Sequence, residues 1–141
     1  MAHITPDISK GQLLRYDFGQ DAVAASQTNV QLPVTVGEAS QAVDGYEIPW
    51  DYDIVGVAFT LSAAGSAGVF TIGATVDGTE DADTTLTVGT AAANYKRIPR
   101  GAARGAAGSQ LGCEITTDGS WDGTTADLTA SVYIIAYLDG V

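Results

Sequence analysis

Apolar and polar residues alternate in short runs along most of the chain, most plainly over residues 109–138. In the first run there, Leu111, Cys113 and Ile115 fall on one side and Gly112, Glu114 and Thr116 on the other. In the second, Ala126, Leu128, Ala130, Val132, Ile134, Ala136 and Leu138 share a side opposite Asp127, Thr129, Ser131, Tyr133, Ile135 and Tyr137. Successive side chains of a strand point to opposite faces, so the pattern predicts two strands, each with one face in a core. The outward face of the second strand begins polar and ends with Tyr133, Ile135 and Tyr137. A strand that is apolar on both faces at one end needs cover on both. The outer cover is assigned to another copy of the chain or to a different partner.

Upstream, Val30, Leu32, Val34 and Val36 alternate with Pro33 on the opposite side, and a residue without an N–H suits an edge strand. Residues 51–61 predict a strand with Val55, Val57, Phe59 and Leu61 inward, and residues 69–76 one with Phe70, Ile72, Ala74 and Val76 inward. Asp77-Gly78 then signals a tight turn, and Leu86 and Val88 face the core over residues 84–88. Stretches of glycine and other small residues separate these runs, and no helical period stands out. The fold class predicted is all-β: an antiparallel, jelly-roll-like β-sandwich of seven or eight strands. Residues 1–28 are only weakly periodic but carry Leu13, Leu14, Tyr16 and Phe18, more apolar residues than a disordered tail holds. They read as an extended N-terminal arm that becomes ordered on a partner, ahead of a sandwich domain over 29–141. A first strand of the same sandwich is the alternative.

Composition narrows the function. Seventeen acidic residues against six basic ones give a net charge of −11, so a nucleic-acid partner is excluded, because such a surface repels phosphate. No run approaches the ~20 apolar residues of a membrane span, and the first residues lack the regions of a signal peptide. No membrane partner is expected, and folding in a cytoplasm is. One cysteine, Cys113, allows no internal disulfide and reads as a buried, inert thiol. One histidine, His3, removes most catalytic triads and histidine metal sites. With no recognisable nucleophile, phosphate-loop or carboxylate-pair context, the chain is expected to be a non-enzyme without cofactor or metal. Asp77, Glu80, Asp81 and Asp83 lack the spacing of a calcium loop and read as a solvated hairpin tip. Trp121 is expected to pack over the sandwich end or against a neighbour. Lys96, Arg97, Arg100 and Arg104 hold four of the six positive charges. They either dock on an acidic patch through arginine–carboxylate pairs or offset the chain's own carboxylates.

Four segments, IPWDYDIVGV from Ile48, GVFTIGATVDGT from Gly68, RGAARGAAGSQLGC from Arg100 and TTADLTASVYI from Thr124, together resemble small jelly-roll proteins of tailed bacteriophages. The likeness spans about residues 46–138 and implies a structural protein of the virion. Such proteins include capsid decoration (cement) proteins, usually trimers on the outer shell, and domains of head or tail fibres. The chain shows no heptad or shaft repeat, which favours decoration. It is expected on the capsid exterior as a homotrimer that bridges subunits of the major capsid protein. Tyr133, Ile135 and Tyr137 are then expected at subunit contacts. Leu13, Leu14, Tyr16 and Phe18 would lie on the capsid or a neighbour, with Tyr46 and Trp50 close to one of these junctions. Lys96, Arg97, Arg100 and Arg104 would form the docking charges. The alternative is a fibre-tip adhesin for a host glycan, with exposed aromatics gathered at one end of the sandwich.

Overall fold

The structure, a computed structural model, describes residues 11–36, 39–40 and 44–138. In chain order the strands are β1 (Gln12–Gln20), β2 (Val30–Gln31), β3 (Thr35–Val36), β4 (Ala39–Ser40), β5 (Tyr46–Glu47), β6 (Tyr52–Leu61) and β7 (Phe70–Val76). They continue with β8 (Thr79–Glu80), β9 (Leu86–Gly89), β10 (Ala93–Arg97), β11 (Arg104–Gly105), β12 (Gln110–Thr117) and β13 (Leu128–Ala136). A five-stranded sheet has the order β1-β13-β6-β10, with β11 also on β6. A six-stranded sheet has the order β2-β12-β7-β8, with β5 also on β12 and β9 also on β7, and β3 pairs with β4. Every pairing is antiparallel. The fold is an antiparallel β-sandwich, all-β and jelly-roll-like as the alternation predicts. No helix among the described residues is long and apolar enough to cross a membrane.

The two runs that dominate the sequence sit in different sheets and face each other through the core. Leu111, Cys113 and Ile115 of β12 are buried, as are Leu128, Ala130, Val132, Ile134 and Ala136 of β13. Phe59 of β6 meets Phe70 of β7 across the core, with ring centroids 5.0 Å apart. Trp121 closes one end: it is buried, its ring lies 5.6 Å from Phe70, and its Nε1–H donates to the Val23 carbonyl at 3.1 Å. The neighbouring turn needs glycine, because Gly68 has φ +89° and a Cβ there would stand 2.3 Å from the Trp121 nitrogen. Asp77 and Gly78, with φ of +51° and +80°, turn β7 into β8. Positive φ at both central residues is what a type I′ hairpin requires.

Three expectations change. Val55 does not point into the core. The β6–β13 register slips between Tyr133 and Ile134, so that Ile54 pairs with Ile134 but Gly56 with Tyr133. Val55 is the extra residue of a β-bulge, half-exposed. Inward positions are therefore Tyr52 and Ile54 before it and Val57, Phe59 and Leu61 after it. Without the bulge, the alternation would turn Asp51 and Asp53 inward.

The arm expected over 1–28 is replaced between residues 12 and 20 by β1, paired along its whole length with β13. The apolar residues on one side of β1 then have a core to enter without any partner. Residues 1–10, including His3, lie outside the described residues. The strand expected over 29–36 is interrupted at Leu32-Pro33, where the chain passes from one sheet to the other. Leu32 N–H donates to Cys113 (2.8 Å) in the six-stranded sheet, while the Pro33 carbonyl accepts from Gly19 N–H (3.0 Å) at the edge of the five-stranded one.

Candidate functional site

Antiparallel partners share a face, so the registers lay out the outer surface of the five-stranded sheet row by row. Leu13 of β1 pairs with Ile135 of β13, and Arg15 with Tyr133. Tyr133 pairs with Gly56 of β6 and Ser131 with Ala58. Gly56 and Ala58 pair in turn with Arg97 and Tyr95 of β10. The central strand thus presents only small side chains beyond the bulge, while its neighbours present large ones. The result is a groove of about 660 Å3 floored by Gly56 and Ala58, with Tyr133 and Ile135 on one side and Tyr95 and Arg97 on the other. A Cβ at Gly56 would already stand 3.3 Å from the Tyr133 ring. Leu13, 62% exposed, and Tyr95, 67% exposed, both line it; Val69 is the one other large hydrophobic residue exposed among those described.

A second hollow, of about 620 Å3, opens where Asp51 and Asp53 approach Arg104 and Tyr137. Asp53 faces outward by register yet is only 1% exposed, and a carboxylate so placed requires compensation. The Tyr137 hydroxyl donates to Asp53 Oδ2. Arg104 Nε stands 3.0 Å from Oδ1, an ion pair not aligned as a hydrogen bond. Arg100 Nη2 donates to the Tyr137 hydroxyl at 3.0 Å, and its guanidinium carbon lies 5.4 Å from that ring's centroid, at cation–π distance. Lys96 Nζ donates to the Thr85 carbonyl at 3.0 Å.

The positive cluster therefore divides. Arg104 offsets a carboxylate of its own chain and Lys96 ties down a loop, whereas Arg97 projects, exposed, at the groove. Of the residues singled out from the sequence, Leu13, Lys96, Arg97, Arg100, Tyr133 and Ile135 converge on the groove. Tyr137 and Arg104 line the adjoining hollow.

Four aromatic positions do not join them. Phe18 is buried and has no surface to offer a partner. Tyr16 and Tyr46 pack against each other at 4.8 Å, with Phe18 edge-on to Tyr46 at 5.5 Å. The Tyr46 hydroxyl reaches the carbonyls of Asp17 (3.0 Å) and Thr35 (3.2 Å). Burial raises the hydroxyl pKa of both tyrosines, and for Tyr46 the Asp17 charge adds to it. Leu14 turns the same way, and Trp50 packs against the core away from the groove. Tyr95, Val55 and Gly56 were missed from sequence. Tyr95 lies in a run read for its charge, and the bulge that brings Val55 to the groove leaves no mark in the alternation.

The outer face of the six-stranded sheet differs. Glu114 pairs with Gln31 of β2 and with Gly73 of β7. It is 5% exposed, and Gln31 Nε2 donates to its Oε2 at 2.9 Å. The Glu80 carboxyl lies over Gly73, the residue paired with Glu114, and accepts from the Thr85 hydroxyl. Asp77 and Asp81 are also bound locally, Asp77 Oδ1 to Gln110 N–H (2.8 Å) and Asp81 Oδ1 to Asp83 N–H (3.0 Å). The Cys113 thiol, on the core side of β12, has its pKa pushed up by burial.

No protein-family model and no curated protein matches the chain. Among solved structures it is similar to a chain described as "Cyanophage Pam1 capsid asymmetric unit", with a TM-score of 0.54 and 10% sequence identity, over 96% of this chain and 92% of that one. At such low identity the likeness shows the fold: a sandwich of this kind, over nearly its whole length, also occurs in a bacteriophage capsid.

Proposed function

We propose that this chain is a structural, non-catalytic component of a bacteriophage capsid: a decoration protein that trimerises and sits on the outside of the shell, bridging subunits of the major capsid protein. The observation that carries the reading is the groove of the five-stranded sheet, where Leu13, Val55, Tyr95, Tyr133 and Ile135 lie on one face. The capsid membership of the similar fold supports the setting. The groove is the seam between sister copies. Each copy carries 17 carboxylates against six cations, and a seam lined by Arg97 and Arg100 offsets repulsion between such acidic neighbours. Single exposed ion pairs contribute about 0–1 kcal/mol. Affinity comes instead from apolar area at roughly 25 cal/mol per Å2, less the ordering cost of association, multiplied by several subunits binding at once.

Mass measurement of the purified protein, alone and with capsids of the encoding phage, tests this. A three-copy mass that moves onto the shells is expected. A monomer that ignores the shells overturns the proposal.

A further inference from the structure

Glu114 stands in the middle of β12 on a face open to solvent by register, yet it is almost wholly covered. Glu80, from the two-residue strand β8, helps cover it. A Cβ on Gly73 would lie 2.1 Å from Glu80 Oε1 and 2.8 Å from Glu80 Cγ, so the Glu80 side chain lies over the bare backbone of β7 to reach Glu114. The other contacts of the pair are neutral. Gln31 Nε2 donates to Glu114 while Gln31 Oε1 accepts from the Thr75 hydroxyl at 3.1 Å, and the Thr85 hydroxyl donates to Glu80. Two ionised carboxylates placed side by side have no donor between them and repel, whereas a proton on one lets it donate to the other.

We infer that Glu80 and Glu114 share one proton and act as a clasp, fastening residues 79–85 across the six-stranded sheet and loosening when that proton is lost. The segment keeps further ties when the clasp opens: Asp81 N–H to the Ala74 carbonyl (3.0 Å), Ala74 N–H to the Thr84 hydroxyl (2.9 Å), and Lys96 Nζ to the Thr85 carbonyl. The expected response is therefore a local release, not unfolding.

The titratable groups on the packed elements are Cys113, on the core side of β12, Asp77, Asp81 and Asp83 in the turn, and Lys96 of β10. Burial, and then the hydrogen bond and charge of Glu80, push the Glu114 carboxyl up from 4.5 to about 7; the Gln31 amide acts in the opposite direction. The folded chain thus holds a proton that the unfolded chain releases near 4.5. The stability it confers is full below about pH 4.5, declines as pH rises to about 7, and changes no further above that. The inference does not depend on the capsid role.

The chain has four glutamates, Glu38, Glu47, Glu80 and Glu114, so a carboxyl-carbon NMR titration of the full protein reads each one. A midpoint near 7 for Glu114 is expected. The melting temperature should fall by about 5 °C between about pH 5.5 and about pH 8.5. Glu114→Gln, whose amide donates to Glu80 at any pH, should abolish that fall, whereas Glu47→Gln should keep it. Four glutamates all titrating below about 5, or an unchanged fall in Glu114→Gln, overturns the inference. Should Glu114→Gln not fold, the titration of the unaltered protein decides.

Discussion

The two outer faces of this sandwich are built on the same alternation and end differently. On the six-stranded sheet the outward groups bind one another: Thr71 to Thr87 at 3.3 Å, Thr116 to Asn29 at 3.2 Å, Glu114 to Gln31 at 2.9 Å and Glu80 to Thr85. On the five-stranded sheet, Leu13 and Tyr95 stand mostly in solvent beside Tyr133 and Ile135, over a floor of glycine and alanine. A face whose polar groups are mutually satisfied gains little from a partner. A face that keeps large apolar side chains around a hollow gains from being covered. Surface polarity alone does not separate the two; what separates them is whether each outward group finds its partner within its own fold.

The contrast can be broken experimentally. The largest effect is expected from Leu13→Asp combined with Tyr95→Asp, which should weaken self-association and shell binding by at least about a hundredfold, given that each buried large side chain contributes roughly 1.5–3 kcal/mol. The melting temperature should barely move. Thr79→Asp with Thr87→Asp on the opposite face should leave binding intact; equal losses from both pairs would erase the distinction. Next is Tyr137→Phe, which removes the hydroxyl that donates to buried Asp53. A loss of about 1–3 kcal/mol is expected in denaturant unfolding, and no loss would mean that Arg104 alone suffices. The smallest is Arg97→Gln, which should cost association only a few-fold and flatten its salt dependence. A larger loss would make charge, not apolar area, the main term of the seam.

The inward half of this architecture was legible because alternation reports burial directly: Leu111, Cys113, Ile115 and the small and branched residues of β13 all enter the core. The outward half was legible only where it broke the polar rule, at Tyr133 and Ile135. The placing of Tyr16, Phe18 and Tyr46 away from the groove was not legible, because an aromatic residue in a weakly periodic stretch gives no sign of its direction until its strand partner is known. β1 finds that partner more than a hundred residues away, in β13. Glu114 looked like an ordinary solvent-facing position. Its burial depends on Gly73 being bare and on a two-residue strand folding over it, neither of which a local pattern records.

Val55 has a consequence for how this strand can be altered. Excising it would leave Tyr52, Ile54, Val57, Phe59 and Leu61 in unbroken alternation, in step with Ile134 and Tyr133 opposite. Its side chain shapes the exterior, while its carbonyl accepts from the N–H of buried Ile98 at 3.0 Å, so a shortened strand would keep the inward alternation but lose that tie and one apolar residue of the groove.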